Sequence, residues 1–257
     1  MSAHEKLTAA IRAANDGGRP ALVPFITAGY PEPDEFTSTL KAVAEHGDVV
    51  EIGIPFSDPM ADGMTIQRSS FVALQKGVSL KWIFDELEKA VDDIVVPLVM
   101  MSYLNPLLAF GVEKLAERAA ETGVCGFIVP DLPFEECEEL RSALEQQGLA
   151  LIQLVTPATP PDRLNTLCAA SRGFVYAVTI TGITGGDSAL PDELAAYLDA
   201  VTSASSIPVC AGFGIRSAAD VARVGKHAAG AIVGSALVEI LEQGEDPAVF
   251  LRDLAGA

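Results

Sequence analysis

Three carboxylates crowd one short stretch, EIGIPFSDPMADG (residues 51–63). Glu51 sits inside the apolar run VVEIGIPF, while Asp58 and Asp62 follow in a loop stiffened by Pro55 and Pro59. A glutamate in an apolar strand loses hydration, which raises its pKa and lets it keep a proton near neutrality. Asp62, in a loop nearer water, is expected to stay ionised, ready to accept a hydrogen bond or to stabilise developing positive charge. Carboxyls in contrasting environments suit different roles, one transferring protons and one acting electrostatically. The competing explanation for Glu51 is a buried structural hydrogen-bond network, but unpaired buried acids are rare and costly. Asp58 and Asp131 also fit ordinary turns, because Asp beside Pro or Leu-Pro is common turn chemistry.

Glycines mark a second kind of chemistry. GFG at 212–214 and Gly234-Ser235 each end an apolar run where a helix should begin, and TGITGG (181–186) adds another glycine-rich edge. Backbone N–H groups at such places bind phosphate, glycine allows close approach, and Ser235 can add a hydroxyl. Arg216 is the one cation nearby, so main-chain dipoles carry most of this site. Each cluster alone could simply make a tight turn.

Other mechanisms lack their residues. None of the seven lysines falls in a strand-like run, which argues against a Schiff-base lysine in a barrel. His4, His46 and His227 are scattered and no HExxH or Cys/His cluster exists, so neither a metal site nor a Ser-His-Asp nucleophile is expected.

Short apolar runs position these groups: residues 21–29, 49–56, 97–103, 126–132, 150–157, 174–182, 207–215 and 229–237. Between them lie segments whose apolar residues recur every three to four positions, as in helices. Runs so continuously apolar suit parallel strands covered on both faces. About eight such repeats in roughly 250 residues predict an α/β fold, a (β/α)8 TIM barrel forming a single domain over residues 1–257, with an extra N-terminal helix. An open doubly wound sheet would carry GxGxxG after its first strand, where FITAGYPEP stands instead. In a barrel the chemistry gathers at the C-terminal strand ends, which brings Glu51, Asp62, Tyr103, Asn105, Asp131, Tyr176, Thr179 and the glycine turns to one face.

Thirty-five acids against seventeen bases give a net charge of -18, which argues against nucleic-acid binding. No apolar run approaches the roughly 20 residues of a membrane span. The first residues, MSAHEKLTAAIRAAN, read as an amphipathic helix without a secretion segment, and the four cysteines form no CxxC pair. A cytoplasmic protein is expected.

EIGIPFSDPMADG, followed by TIQ, resembles the signature of the tryptophan synthase α subunit. The likeness runs in order through PFITAGYP, VMMSYLNPL, GFIVPDLPFEE, LIQLVTPATP, TGITG, GFGI and GSALVE. The resemblance implies a lyase that cleaves indole-3-glycerol phosphate to indole and glyceraldehyde 3-phosphate without metal or organic cofactor. It implies Glu51 as the proton-transfer residue, Asp62 as the partner of the indole N–H, and Tyr176 beside the reacting carbons. Gly185, Gly214, Gly234 and Ser235 would hold the phosphate, and Phe25, Ile128, Leu154 and Phe213 would line the indole slot, although these four could equally be simple core. Thr184 would meet the aspartate loop on closure. Where many bacterial relatives carry an arginine after the sixth run, this chain has Ile180. The family also implies a pyridoxal-phosphate β subunit as partner in an α2β2 assembly. The Pro-rich loop 55–60 and the segment 105–108 project apolar side chains from the barrel mouth and could form that interface, with Pro55, Asp58 and Asn105 in it, or could instead be lid packing. A stand-alone lyase and a non-catalytic activating subunit are the alternatives.

Overall fold

The computed structural model of the chain describes residues 1–179, 190–212 and 214–256. Among the described residues nine short parallel strands form one sheet: β1 (Ala21–Thr27), β2 (Val50–Gly53), β3 (Leu98–Met101), β4 (Val124–Ile128), β5 (Ala150–Ile152), β6 (Leu154–Val155), β7 (Val175–Val178), β8 (Val209–Gly212) and β9 (Gly230–Val233). Their order, β5-β4-β3-β2-β1-β9-β8-β7-β6, places β5 and β6 at opposite ends of the hydrogen-bonded ladder. These two pieces are consecutive in the chain, separated only by Gln153, so the sheet curls into a barrel of eight staves. The fifth predicted run thus divides its pairing, β5 with β4 and β6 with β7. Gln153 marks the change: its N–H donates to Ser171 Oγ at 3.0 Å, and its carbonyl accepts from Tyr176 N–H at 3.0 Å.

Every residue of β1, β2, β4, β8 and β9 is buried, the mark of strands covered on both faces. Alternation then sorts their side chains. Val50 and Ile52 join the layer between sheet and helices, while Val49 joins the barrel interior with Val99, Ile152 and Phe174. Glu51 shares the inward phase of Val49, with Phe25 and Val99 as its partners on the flanking strands.

The helix Ala3–Asp16 closes the barrel floor. Leu7 and Ile11 are fully buried within the interior cluster. Polar residues of the same helix reach the turns that precede four different strands. His4 Nδ1 meets Gly148 O at 3.1 Å, and Thr8 Oγ1 donates to Gly173 O at 2.7 Å. Arg12 Nη2 donates to Ser206 O at 3.3 Å and Asn15 Nδ2 to Ala229 O at 2.8 Å. With its floor filled, the barrel carries its cavity toward the C-terminal strand ends. Among the described residues no helix is long and apolar enough to cross a membrane.

If the first helix is a plug that the barrel needs, Ile11→Ala will lower stability by about 2–5 kcal/mol, as expected for a buried aliphatic truncation. Urea unfolding measures it; a loss below about 0.5 kcal/mol, the range of neutral surface changes, would show that the helix is dispensable.

Candidate active site

A cavity of about 340 Å³ occupies the open end of the barrel, of a size suited to a small organic ligand. Its walls come from the C-terminal ends of the strands and the segments that follow: Phe25, Glu51, Met101, Leu154, Tyr176 and Gly212 among the first, Asp62, Gly214, Gly234 and Ser235 among the second.

Glu51 is the deepest polar group of this wall, only 1% exposed, with Oε2 buried and without a hydrogen-bond partner. Burial, reinforced by the charge of Asp62, pushes its carboxyl up to about 8. A structural network around this acid is therefore not what the fold built. The residue lies on a strand and lines the cavity, with one oxygen buried and unpartnered.

Asp62 stands opposite on the loop after β2, and its surroundings are drier than a loop position suggests. It is half-buried, and burial raises its pKa above the usual aspartate value. A hydrogen bond from the Tyr103 hydroxyl acts the other way and favours the carboxylate. The same Tyr103 oxygen accepts the Ala61 N–H at 2.7 Å, and its ring stacks on Phe56 with centroids 5.1 Å apart. Gln67 fastens the other side of the loop, its Nε2 donating to the carbonyls of Asp62 at 2.8 Å and Pro59 at 3.3 Å. Tyr103 and Gln67 thereby fix where the Asp62 carboxyl sits, and neither could be paired with it from spacing alone.

Tyr176, from β7, is 8% exposed. Burial, with Glu51, Cys210 and Asp62 nearby, drives its pKa well upward, so it offers a neutral hydroxyl. Two glycines make room for the aromatic walls. A Cβ on Gly212 would stand 2.5 Å from the Tyr176 hydroxyl, and one on Gly53 would stand 2.4 Å from the Phe25 ring. In the same wall Gly214 takes a left-handed φ of +66°, and Ser235 opens the helix Ser235–Glu242. The first N–H groups of that helix have no intrahelical partner, which makes its start an anion site.

The remaining sequence candidates divide. Phe25 and Leu154 line the cavity; Ile128 does not, being fully buried in the barrel interior. Ile180, Thr184, Gly185 and Phe213 lie outside the described residues. Asp131 behaves as a turn residue, its Oδ1 accepting the Leu104 N–H that starts the helix Leu104–Phe110 at 2.9 Å. Asp58 and Asn105 are exposed, and the Asp58 carboxylate accepts from Ser57 Oγ at 2.6 Å. Pro55 is buried, unlike the exposed contact residue anticipated for it, because it directly follows the core residue Ile54. Met101, Ile66, Val178, Ile215 and Ile232 complete the apolar wall. They carry no chemical signal in a sequence and are found only through the fold.

A family model described as tryptophan synthase alpha chain matches residues 11–255. The tryptophan synthase alpha chain of Desulfovibrio desulfuricans is 44% identical over 244 residues, covering 94% of this chain and 96% of that one. That of Bacillus cereus is 43% identical over 233 residues, 90% of each. Among solved structures, Mycobacterium tuberculosis tryptophan synthase superposes with a TM-score of 0.89 at 36% identity, over 97% of this chain and 96% of that one. The tryptophan synthase subunit alpha of Legionella pneumophila gives 0.88 at 30% identity, over 100% and 98%. The chain belongs to the tryptophan synthase alpha chain family, the lyases that cleave indole-3-glycerol phosphate and partner with a β subunit.

Proposed function

We propose that Glu51 carries protons in both directions while the carbon–carbon bond of indole-3-glycerol phosphate is cleaved. The observation behind this reading is a carboxyl raised to about 8 with one oxygen unpartnered in the cavity wall. Protonated near neutrality, Glu51 gives its proton to indole C3, and the ring becomes an indoleninium. The Asp62 carboxylate accepts a hydrogen bond from the ring N–H and stabilises that positive charge. Glu51, now ionised, takes the proton of the glycerol hydroxyl next to the ring. That oxygen's electrons form the aldehyde of glyceraldehyde 3-phosphate, and the pair from the broken bond returns to the ring as neutral indole. Glu51 ends protonated, ready for another turnover.

Tyr176 stands beside the reacting carbons, and Phe25 and Leu154 flank the indole. The phosphate is held by Gly214, Gly234 and Ser235, through N–H groups and the Ser235 hydroxyl. Binding energy from that remote group positions the reacting carbons over Glu51. Indole passes to the β subunit of an α2β2 assembly, with Asp58 and Asn105 as polar contacts beside exposed Met60 and Leu108. Four buried free cysteines fit a cytoplasmic setting.

Purified chain assayed for indole release with and without its β subunit separates the readings: strong activation supports delivery to the partner, and equally high turnover alone supports a free-standing lyase. Glu51→Gln is expected to lose at least 10²-fold in turnover while glycerol 3-phosphate still binds; near-normal turnover removes the proton-shuttle role. Asp62→Asn should cost several kcal/mol of transition-state stabilisation, and a loss under about tenfold contradicts its charge-stabilising part.

Stability carries a matching signature. Folding raises Glu51 from its ordinary 4.5 to about 8, so the native state holds a proton that the unfolded chain releases between those values. The stabilisation from this group is complete below about pH 4.5 and is lost as pH rises through about 8. Glu51→Gln cannot ionise, so it should gain on the wild type by on the order of a few kcal/mol between pH 5 and 8. Urea midpoints at the two pH values measure it, and a constant difference between the proteins would mean that Glu51 titrates normally.

A further inference from the structure

Among the described residues lining the cavity there are two carboxyls, Glu51 and Asp62, and one cation, Arg216. A phosphate monoester brings about -1.5 to -2 charge at neutral pH. It must settle in the same cavity as both acids, in a chain of formal charge -18, whereas a helix start supplies only about half a positive charge. A guanidinium at that end of the cavity is therefore electrostatically significant.

The placement of Arg216 suits the task. It lies two residues beyond Gly214, and Gly214, Gly234 and Ser235 share the cavity wall with it. Its backbone is pinned, since its N–H donates to Asp220 Oδ2 at 3.0 Å, so any movement belongs to the side chain. That side chain is parked on Glu239, with Nη1 donating to Oε2 at 2.7 Å and Nη2 to Oε1 at 3.1 Å. Glu239 lies one turn into the helix that Ser235 opens, and its Oε1 also accepts from Thr65 Oγ1 at 3.2 Å. The Arg216 side chain is 59% exposed, and ion pairs so open to water are weak. A phosphate offers the same planar fork two oxygens and more charge.

We propose that Arg216 is a phosphate-binding residue held in reserve by Glu239, turning to the phosphate when substrate enters. It recognises the phosphate group and takes no part in bond cleavage. The inference rests on the phosphate end of the cavity proposed above, and adds to it a cation that exchanges partners. Glu239 acts as the competitor that Arg216 must leave.

The test uses the complex with its β subunit and two inhibitors of the cleavage reaction, glycerol 3-phosphate and indole, only the first of which carries a phosphate. Arg216→Gln should raise the inhibition constant of glycerol 3-phosphate and the substrate KM about tenfold, leaving kcat and the indole constant within about twofold. Arg216→Lys should recover part of the loss, because it restores charge without the fork. Glu239→Gln should tighten glycerol 3-phosphate severalfold, and the gain should vanish in the double variant. Unchanged glycerol 3-phosphate inhibition in Arg216→Gln overturns the inference and leaves the main-chain phosphate site standing. Equal losses for both inhibitors overturn it as well, by making Arg216 structural. Failure of glycerol 3-phosphate to inhibit even the wild type would remove the phosphate end itself.

Discussion

A carboxyl stripped of water at the mouth of a parallel barrel sets the terms for everything around it. Glu51 stays where it is because β2 is locked between β1 and β3, with Phe25 and Val99 as register partners. A loop could not hold an acid in so unfavourable a place, since relaxation toward water would release the strain of burial. The strand cannot relax in that way. The proton thus becomes the only means of neutralising Glu51, and a firmly held, poorly solvated proton is what a carbon acid–base reaction requires. Asp62, which lines the same cavity, adds to the effect, for its charge makes ionisation of Glu51 harder still.

The rest of the barrel maintains that dryness and gives the cavity its shape. Below, Leu7 and Ile11 fill the floor and exclude water from the strand interior. Around the sides, glycines at 53 and 212 leave space for the Phe25 and Tyr176 rings, which would otherwise collide with the neighbouring strand. Above, Tyr103 and Gln67 hold the Asp62 loop, so the second carboxyl is placed by two side chains that take no direct part in the chemistry. The polar groups of the cavity divide the work: the two acids serve the reacting carbons, and the glycine turns and a helix start serve the phosphate.

Much of this was legible in the sequence because burial and chemistry conflicted there. Glu51 stood out as a charge within VVEIGIPF, and the alternation of apolar runs with helical spacing gave the barrel and its C-terminal face. The division of the fifth run at Gln153 was not legible, since a one-residue change of pairing partner leaves no mark on hydropathy. Loop position overstates the wetness of Asp62, because it says nothing of the burial, or of the Tyr103 hydroxyl, that the fold brings to its carboxyl. Ile128 and Leu154 look alike as isolated apolar residues and both pack into the barrel interior, yet only Leu154 also lines the cavity, a difference that no sequence spacing records. Pro55 looked like part of an exposed loop and is buried by its place directly after Ile54.

The protonation state of Glu51 can be observed directly by infrared difference spectroscopy, comparing the wild-type chain with Glu51→Gln across a pH series. A protonated-carboxyl C=O band at pH 7, absent from the variant and lost with a midpoint near 8, is the predicted result. A wild-type Glu51 already ionised at pH 6 would contradict the account at its centre.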